Sequence, residues 1–261
     1  MCLIVFAYRS HPRYKLILAA NRDEFFARPT APMQFWRDNP DLLAGKDLQQ
    51  GGTWLGLNRN GRFSALTNHR DGRRPATGIR SRGFLPLDFI TGENSAYNFA
   101  MQTTVQDYDG FNQIVMDNIY SEEETLCYLS NRSEPTTLQP GIYGLSNAVL
   151  NSSWPKTDSR RAALEALIEQ EDVTTDDLIA LMNDPTLYPD DQLPDTGISQ
   201  EWERALSASF ITMENYGTRA TTALLIDYSG NIEIAEQNYD KSGRSELKQF
   251  TLQPEFETEK A

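Results

Sequence analysis

The chain has 261 residues, 39% of them hydrophobic and 23% charged, and 24 basic against 37 acidic side chains give a formal charge of −13. Such a chain is long enough to bury a large core, and nothing in its composition suggests disorder. An acidic surface repels nucleic acid and anionic membranes, and no apolar run approaches the ~18 residues of a membrane span, so both partner classes are excluded.

Cys2–Tyr8 and Tyr14–Asn21 are apolar, β-rich runs joined by a turn containing Pro12, and they predict a buried hairpin. Arg9-Ser10-His11-Pro12-Arg13 also interrupts the first run before a signal-like core is complete. Two cysteines are too few for a secreted disulfide framework, and the chain reads as cytoplasmic. Trp54–Leu57 and Arg62–Thr67 flank Asn60-Gly61, a strong short-range hairpin signal. Between Arg59 and Arg82 stand seven arginines and one acid, Asp71, a local charge of +6. This is either a solvated loop or an anion-binding rim for a carboxylate or phosphate, with Arg70, Arg73 and Arg74 as its candidate ligands.

Helices are predicted at Leu85–Ile90 and Ser95–Gln102, then strands at Asn112–Met116, Thr125–Leu129 and Gly141–Leu145. Cys127, inside the second of these strands, reads as a small buried hydrophobe. A helix over Asp158–Gln170 would present Ala163, Leu164, Leu167 and Ile168 as one apolar face. Another over Thr174–Met182 opens with Thr174 and Asp177 at capping-box spacing. Residues 184–197, with three prolines and four aspartates, predict a lid or rim loop. A helix near Gln200–Ser207, a strand Thr218–Asp227, a Ser229-Gly230 turn and a strand Asn231–Tyr239 complete the order. Hairpins dominate and helices are inserted between them. This predicts an α+β, two-sheet sandwich covered by helices, a single domain over residues 1–261, and not a doubly wound parallel sheet.

The chain holds no Gly-x-Ser-x-Gly, no phosphate-binding Gly-Lys-Ser/Thr loop, no Gly-x-Gly-x-x-Gly and no paired-histidine zinc helix, and no metal set is expected. Its two histidines, His11 and His69, have no evident serine partner. Cys2 remains. Initiator methionine is normally trimmed before so small a residue, leaving an α-amine of pKa roughly 7.7–8.0 beside a thiol of about 8.5. One residue would then supply nucleophile and base, although a cysteine at this place on a strand is also an ordinary core residue. Asn21-Arg22-Asp23-Glu24 ends the strand across the hairpin from Cys2, with Asn21 and Asp23 on one face and Ala20 and Arg22 on the other. Polar residues at a buried strand end are costly unless they serve each other or a site.

Met-Cys at the start, Ala-Asn-Arg-Asp-Glu at 20–24, Gly-Gly-Thr-Trp-Leu-Gly at 51–56, Ala-Leu-Thr-Asn at 65–68, Gly-Leu-Ser-Asn at 144–147, Leu-Pro-Asp-Thr-Gly at 193–197 and Tyr-Gly-Thr-Arg-Ala-Thr-Thr at 216–222 together resemble the NRDE family. This is the transport-and-Golgi-organization protein family, which is distantly similar to the cholylglycine-hydrolase and penicillin-V-acylase group of N-terminal-nucleophile hydrolases. The resemblance implies a four-layer αββα sandwich with Cys2 as nucleophile and Asp23 orienting the α-amine. It further implies Asn68 as an oxyanion donor, Asn147 as a second asparagine near the nucleophile and Arg219 as a late supporting arginine. The hydrolases carry an arginine where this chain has Ala20; Arg22, two residues on, keeps the same face with a reach different by ~7 Å. Two functions follow. One is hydrolysis of a non-peptide amide or thioester through acyl-Cys2, with oxyanion help from Asn68 and Asn147 and no cofactor required. The other, implied by the same resemblance, is a carrier of haem or of acyl-CoA and lipid, with haem propionates or CoA phosphates suited to the arginine-rich segment and Cys2 as a thiolate ligand to the haem iron.

Overall fold

The computed structural model describes residues 2–254. Its strands in chain order are β1 (Cys2–Tyr8), β2 (Tyr14–Phe25), β3 (Thr30–Trp36), β4 (Asn39–Asp47), β5 (Leu55–Asn58), β6 (Phe63–Asn68), β7 (Phe111–Asp117), β8 (Thr125–Ser130), β9 (Thr136–Thr137), β10 (Gly141–Leu145), β11 (Tyr216–Asp227), β12 (Ile232–Asp240) and β13 (Gly243–Leu252). The helices are α1 (Phe84–Ile90), α2 (Ala96–Gln102), α3 (Pro155–Leu167), α4 (Thr175–Met182) and α5 (Gln200–Ala205). The strands form two antiparallel sheets, ordered β10-β1-β2-β11-β12-β13 and β3-β4-β5-β6-β7-β8-β9.

The sheets pack face to face. Ile4, Phe6, Leu16 and Leu18 of the first meet Leu57, Phe63, Ala65 and Ile114 of the second in a shared core. The alternate residues Leu3, Val5, Ile17 and Ala19 face outward onto Leu164, Ile168, Leu178 and Met182 of the α3–α4 layer. On the other outer surface, Leu66, Val115, Cys127 and Leu129 pack against Leu85, Phe89 and Ile90 of α1 and Phe99 of α2. Because β1 and β2 are buried on both faces, they read in sequence as continuous apolar runs. The four layers are helix, sheet, sheet, helix, the αββα sandwich expected.

Several local expectations are met in detail. Thr174 and Asp177 form the capping box of α4 reciprocally. Cys127 is fully buried in β8. In the β5–β6 turn Gly61 takes φ +74°, and Asn58 Oδ1 accepts from the backbone of Asn60 and Arg62. Others are corrected. α3 begins at Pro155, three residues before the predicted start, with proline in its first turn where the missing N–H costs nothing. The sequence predicts no strand at β3, β4, β13 or the two-residue β9. Pro32 lies in β3, an edge strand whose register shifts between Ala31 and Gln34, and proline is tolerated only in such a place. β13 is a mostly exposed, polar edge strand without an apolar period.

Candidate active site at the strand ends

Cross-strand register assembles the site. Cys2 pairs with Arg22, Arg22 with Ala220 and Ala220 with Asn238, one row across the end of the first sheet. Directly opposed residues share a face, so Cys2 and Arg22 project between the sheets with Ile4 and Ala20. Asn21 and Asp23 point to the helix layer, as alternation requires. Position 20 lies opposite Ile4, deep in the shared core, so Arg22 and not residue 20 occupies the register of the thiol.

Arg22 is 7% exposed and stacks its guanidinium 4.2 Å from the Trp54 ring centroid. Two glycines make room for this. A Cβ at Gly45 would lie 2.3 Å from the Trp54 indole, and one at Gly52 would lie 2.5 Å from the Gly83 backbone. The Gly-Gly-Thr-Trp run is therefore the close turn that delivers Trp54 to Arg22. A cleft of about 170 Å³ lined by Arg22, Trp54, Arg219 and Asn238 opens there.

Burial pushes the Cys2 thiol above its ordinary pKa; the charge of the chain terminus and Arg22 pull it down, and Asp23 raises it further. Arg22 therefore does not turn the resting thiol into a thiolate. The removal of Met1 lies outside the described residues. Asp23 is 1% exposed, and its Oδ1 accepts from Thr218 Oγ1 at 2.8 Å. Burial raises this carboxyl as well, opposed by the chain terminus, by Lys156, by the Thr218 hydrogen bond and by Arg22. Asn21 is structural: its Nδ2 donates to the carbonyls of Met182 and Ser209, and its Oδ1 accepts from Thr221. The β11 register shifts between Thr218 and Ala220, and the intervening Arg219 donates through Nη1 to the carbonyls of Phe25, Phe26 and Arg28. It staples the turn that follows β2.

The second sheet closes the site. Asn147, fully buried after β10, donates Nδ2 to the Asn68 carbonyl at 2.9 Å, while its own carbonyl accepts from the Arg70 backbone. Ser146 Oγ donates to the Cys2 carbonyl at 3.3 Å, and Thr67 Oγ1 donates to the Ser146 carbonyl at 2.6 Å. Asn112 Nδ2 continues the network to Thr67 and the Ala148 carbonyl, and Tyr128 Oη donates to Asn112. Cys2, Arg22, Asp23, Asn68 and Asn147 are thus brought together. One of Asn147's two N–H groups is spent on Asn68, whose carboxamide stands half-buried at the end of β6.

Sequence reasoning missed Lys156. It is 2% exposed in the first turn of α3 and donates Nζ to the Leu206 carbonyl at 2.8 Å. Burial lowers its ammonium to about 8; Asp23, Cys2 and Glu203 support the charge and Arg70 opposes it. A lysine in a helix's first turn faces the positive end of the dipole, a broken local rule that becomes visible only when the helix is started at Pro155.

The arginine segment does not act as one rim. Arg70 is buried, ion-paired with Glu203 at 2.7 Å and stacked 4.7 Å from the Trp154 ring, so it is not an exposed ligand for an incoming anion. The reason is a partner 133 residues away. Arg73 is exposed and pairs with Asp195, tying the loop to residues 184–197, and Arg74 pairs with Asp71 at the surface. Among the described residues no group of three or more His, Cys, Asp or Glu side chains is placed to hold a metal ion, and no helix is long and apolar enough to cross a membrane.

The chain is 36% identical to Transport and Golgi organization 2 homolog of Mus musculus, over 97% of this chain and all of the relative. It is 34% identical to the Homo sapiens homolog at the same coverage, and 28% identical to the Drosophila melanogaster protein over 91% of this chain and 92% of the relative. Among solved structures, a Caenorhabditis elegans N-acylethanolamine-hydrolyzing acid amidase ortholog aligns with TM-score 0.46 and 13% identity over 70% of this chain and 86% of its own. A mutant conjugated bile acid hydrolase from Clostridium perfringens aligns with TM-score 0.43 and 10% identity over 96% of each chain. Residues 1–241 match the family described as Transport and Golgi organisation 2, and the chain belongs to that family.

Proposed function

We propose that the protein is an N-terminal cysteine hydrolase that cleaves a non-peptide amide or thioester through an acyl-Cys2 intermediate. The observation that supports this most is the convergence at one sheet end. Cys2 faces Arg22 in register, Asp23 lies one residue beyond that pair, and Asn147 pins Asn68 to the same end. With Met1 removed, the α-amine projects past the last pair of the β1–β2 ladder, toward Asp23.

The partly buried Cys2 thiol has a raised pKa and rests protonated, so the reaction needs a base, and the neutral α-amine is the one at hand. It takes the Sγ proton as sulfur bonds to the substrate carbonyl carbon. The oxyanion accepts from the Asn68 carboxamide, and collapse breaks the C–N or C–S bond as the ammonium returns its proton to the leaving group. Water, deprotonated by the same amine, then attacks the thioester and releases a carboxylic acid and the free thiol. Asp23 holds the ammonium, and Lys156 offsets the cost of that buried carboxylate. Arg219 and Asn147 position and do not react.

The test compares the parent with Cys2→Ala, Cys2→Ser and Asn68→Ala on acyl p-nitroanilides and acyl thioesters. An oxyanion donor acts on charge present only in the transition state, so Asn68→Ala should lose ~100- to 1,000-fold in turnover with affinity changed only a few-fold. Cys2→Ala should be inactive and Cys2→Ser intermediate. If the parent turns nothing over, while haem or acyl-CoA binds in a manner that Cys2→Ala alters, the site is a carrier's and the hydrolase reading fails.

A further inference from the structure

A second cleft, of about 760 Å³, opens beyond the end of β6 and is lined by His69, Arg74, Arg82, Asp109, Asn131 and Arg132 among others; neither Cys2 nor Arg22 lines it. Three arginines line this space; their hydrogen-bond partners are exposed or local, and Asp109 supports the charge of Arg82 and Arg132. Arg74 meets Asp71 in an exposed pair, a kind that contributes little because solvent screens it. Arg82 donates Nη1 to the Gly110 carbonyl, and Arg132 donates Nη1 to the carbonyl of its own neighbour, Asn131.

Two buried nitrogens stand without a hydrogen-bond partner among the described residues, Arg132 Nε and His69 Nδ1. The acids that line the cleft are Asp71 and Asp109. Asp109 Oδ1 is committed to the backbone N–H groups of Thr77 and Gly78, each at 2.8 Å, which pins the rim segment in place. Arg74, Arg82 and Arg132 against Asp71 and Asp109 leave positive charge in excess, and with a buried donor that lacks an acceptor they make a receptor for negative charge. Guanidinium forks match the oxygens of phosphate and carboxylate alike.

We infer that this cleft binds a small organic anion through a phosphate or carboxylate group, held by Arg82 and Arg132 and bordered by His69. The volume suits an anion that carries an organic body as well as its charged head. Arg74 closes the outer side after exchanging Asp71 for the ligand. Anion binding here does not require turnover at Cys2, so it stands or falls separately from the hydrolase reading.

The chain contains only two histidines, which makes their ring resonances a selective probe. His11 is buried elsewhere, with Nε2 against the Gln170 carbonyl, and serves as an internal control. Inorganic pyrophosphate and tricarballylate are titrated at constant ionic strength and followed by histidine ring NMR, with calorimetry in parallel. The expected result is a saturable shift of His69, no shift of His11, and at least tenfold weaker binding in both Arg132→Ala and Arg132→Gln. Cys2→Ala should bind as the parent does. Tighter pyrophosphate binding assigns a phosphoryl ligand and tighter tricarballylate binding a carboxylate ligand. The His11 resonance and the thermal midpoint report that each variant is folded, and Gln serves if Ala does not fold. No saturable shift with either anion, equal shifts at both histidines, or unchanged affinity in a folded Arg132 variant overturns the inference.

Discussion

Replacing Lys156 with methionine tests the electrostatics of the site without reference to any substrate. In the folded chain this ammonium is lowered to about 8, whereas an exposed lysine titrates at 10.5. Between those values the unfolded chain holds a proton that the folded chain has released, so stability rises with pH through that window. Below about pH 8 both states are protonated and the full penalty of the buried charge is present. At roughly 1.36 kcal/mol per pH unit the whole gap amounts to about 3 kcal/mol. The groups acting on Lys156 are Asp23, Cys2 and Glu203, which favour its charge, and Arg70, which opposes it. Methionine keeps the stem, removes the charge and strands the Leu206 carbonyl, a loss independent of pH. Urea unfolding of parent and Lys156→Met at pH 7, 8, 9 and 10 isolates the term, because the tyrosines that titrate at the alkaline end are common to both proteins. The stability of the parent relative to the variant should rise by about 2.5 kcal/mol from pH 7 to pH 10. A difference that stays flat refutes the placement of a buried lysine beside Asp23.

Arg70→Met and Glu203→Gln should each cost ~3–5 kcal/mol in urea unfolding, with the double variant costing less than the sum, since each single change leaves a buried charge unpaired. Additive losses would show that the two are not coupled. Gly45→Ala places a methyl 2.3 Å from the Trp54 ring, so it should destabilise by about 1–3 kcal/mol and shift tryptophan emission, the shift vanishing in a Trp54→Phe background. An unshifted spectrum would mean Trp54 does not lie on Gly45. Iodoacetamide should label Cys2 ahead of Cys127, at a rate that climbs steeply with pH because burial holds the Cys2 thiol protonated. Equal labelling, or a rate already at its plateau at pH 7, would contradict that.

Period-2 alternation alone separated Asn21 and Asp23 from Arg22, and the register adds only that Arg22 sits opposite Cys2. The hairpins and the capping box were legible because their signals lie within a few residues. What escaped was long-range. Nothing near Arg70 announces Glu203, so an interior ion pair read as part of a solvated loop or an anion-binding rim. The spacing of Asn68 and Asn147 shows no link; the motifs pointed to both, and only the fold shows the carboxamide of one closing on the carbonyl of the other. Lys156 lies ahead of the predicted helix start at Asp158, and only the observed start at Pro155 puts it in the first turn. Arg132, distant from the arginine-rich run, reaches the second cleft only through the β8–β9 turn. β3 and β13 gave no apolar period because each packs at a sheet edge.

The account rests on Cys2 becoming the amino terminus and carrying the acyl group. Intact mass of the purified protein, before and after rapid quenching with an acyl thioester, reads both at once, and peptide mapping locates the adduct. The account predicts a mass lacking Met1 and, after quenching, one acyl group on the Cys2 peptide that decays with added water and is absent in Cys2→Ala. Retained Met1 in an active protein, or an acyl group carried by Cys127, would contradict it.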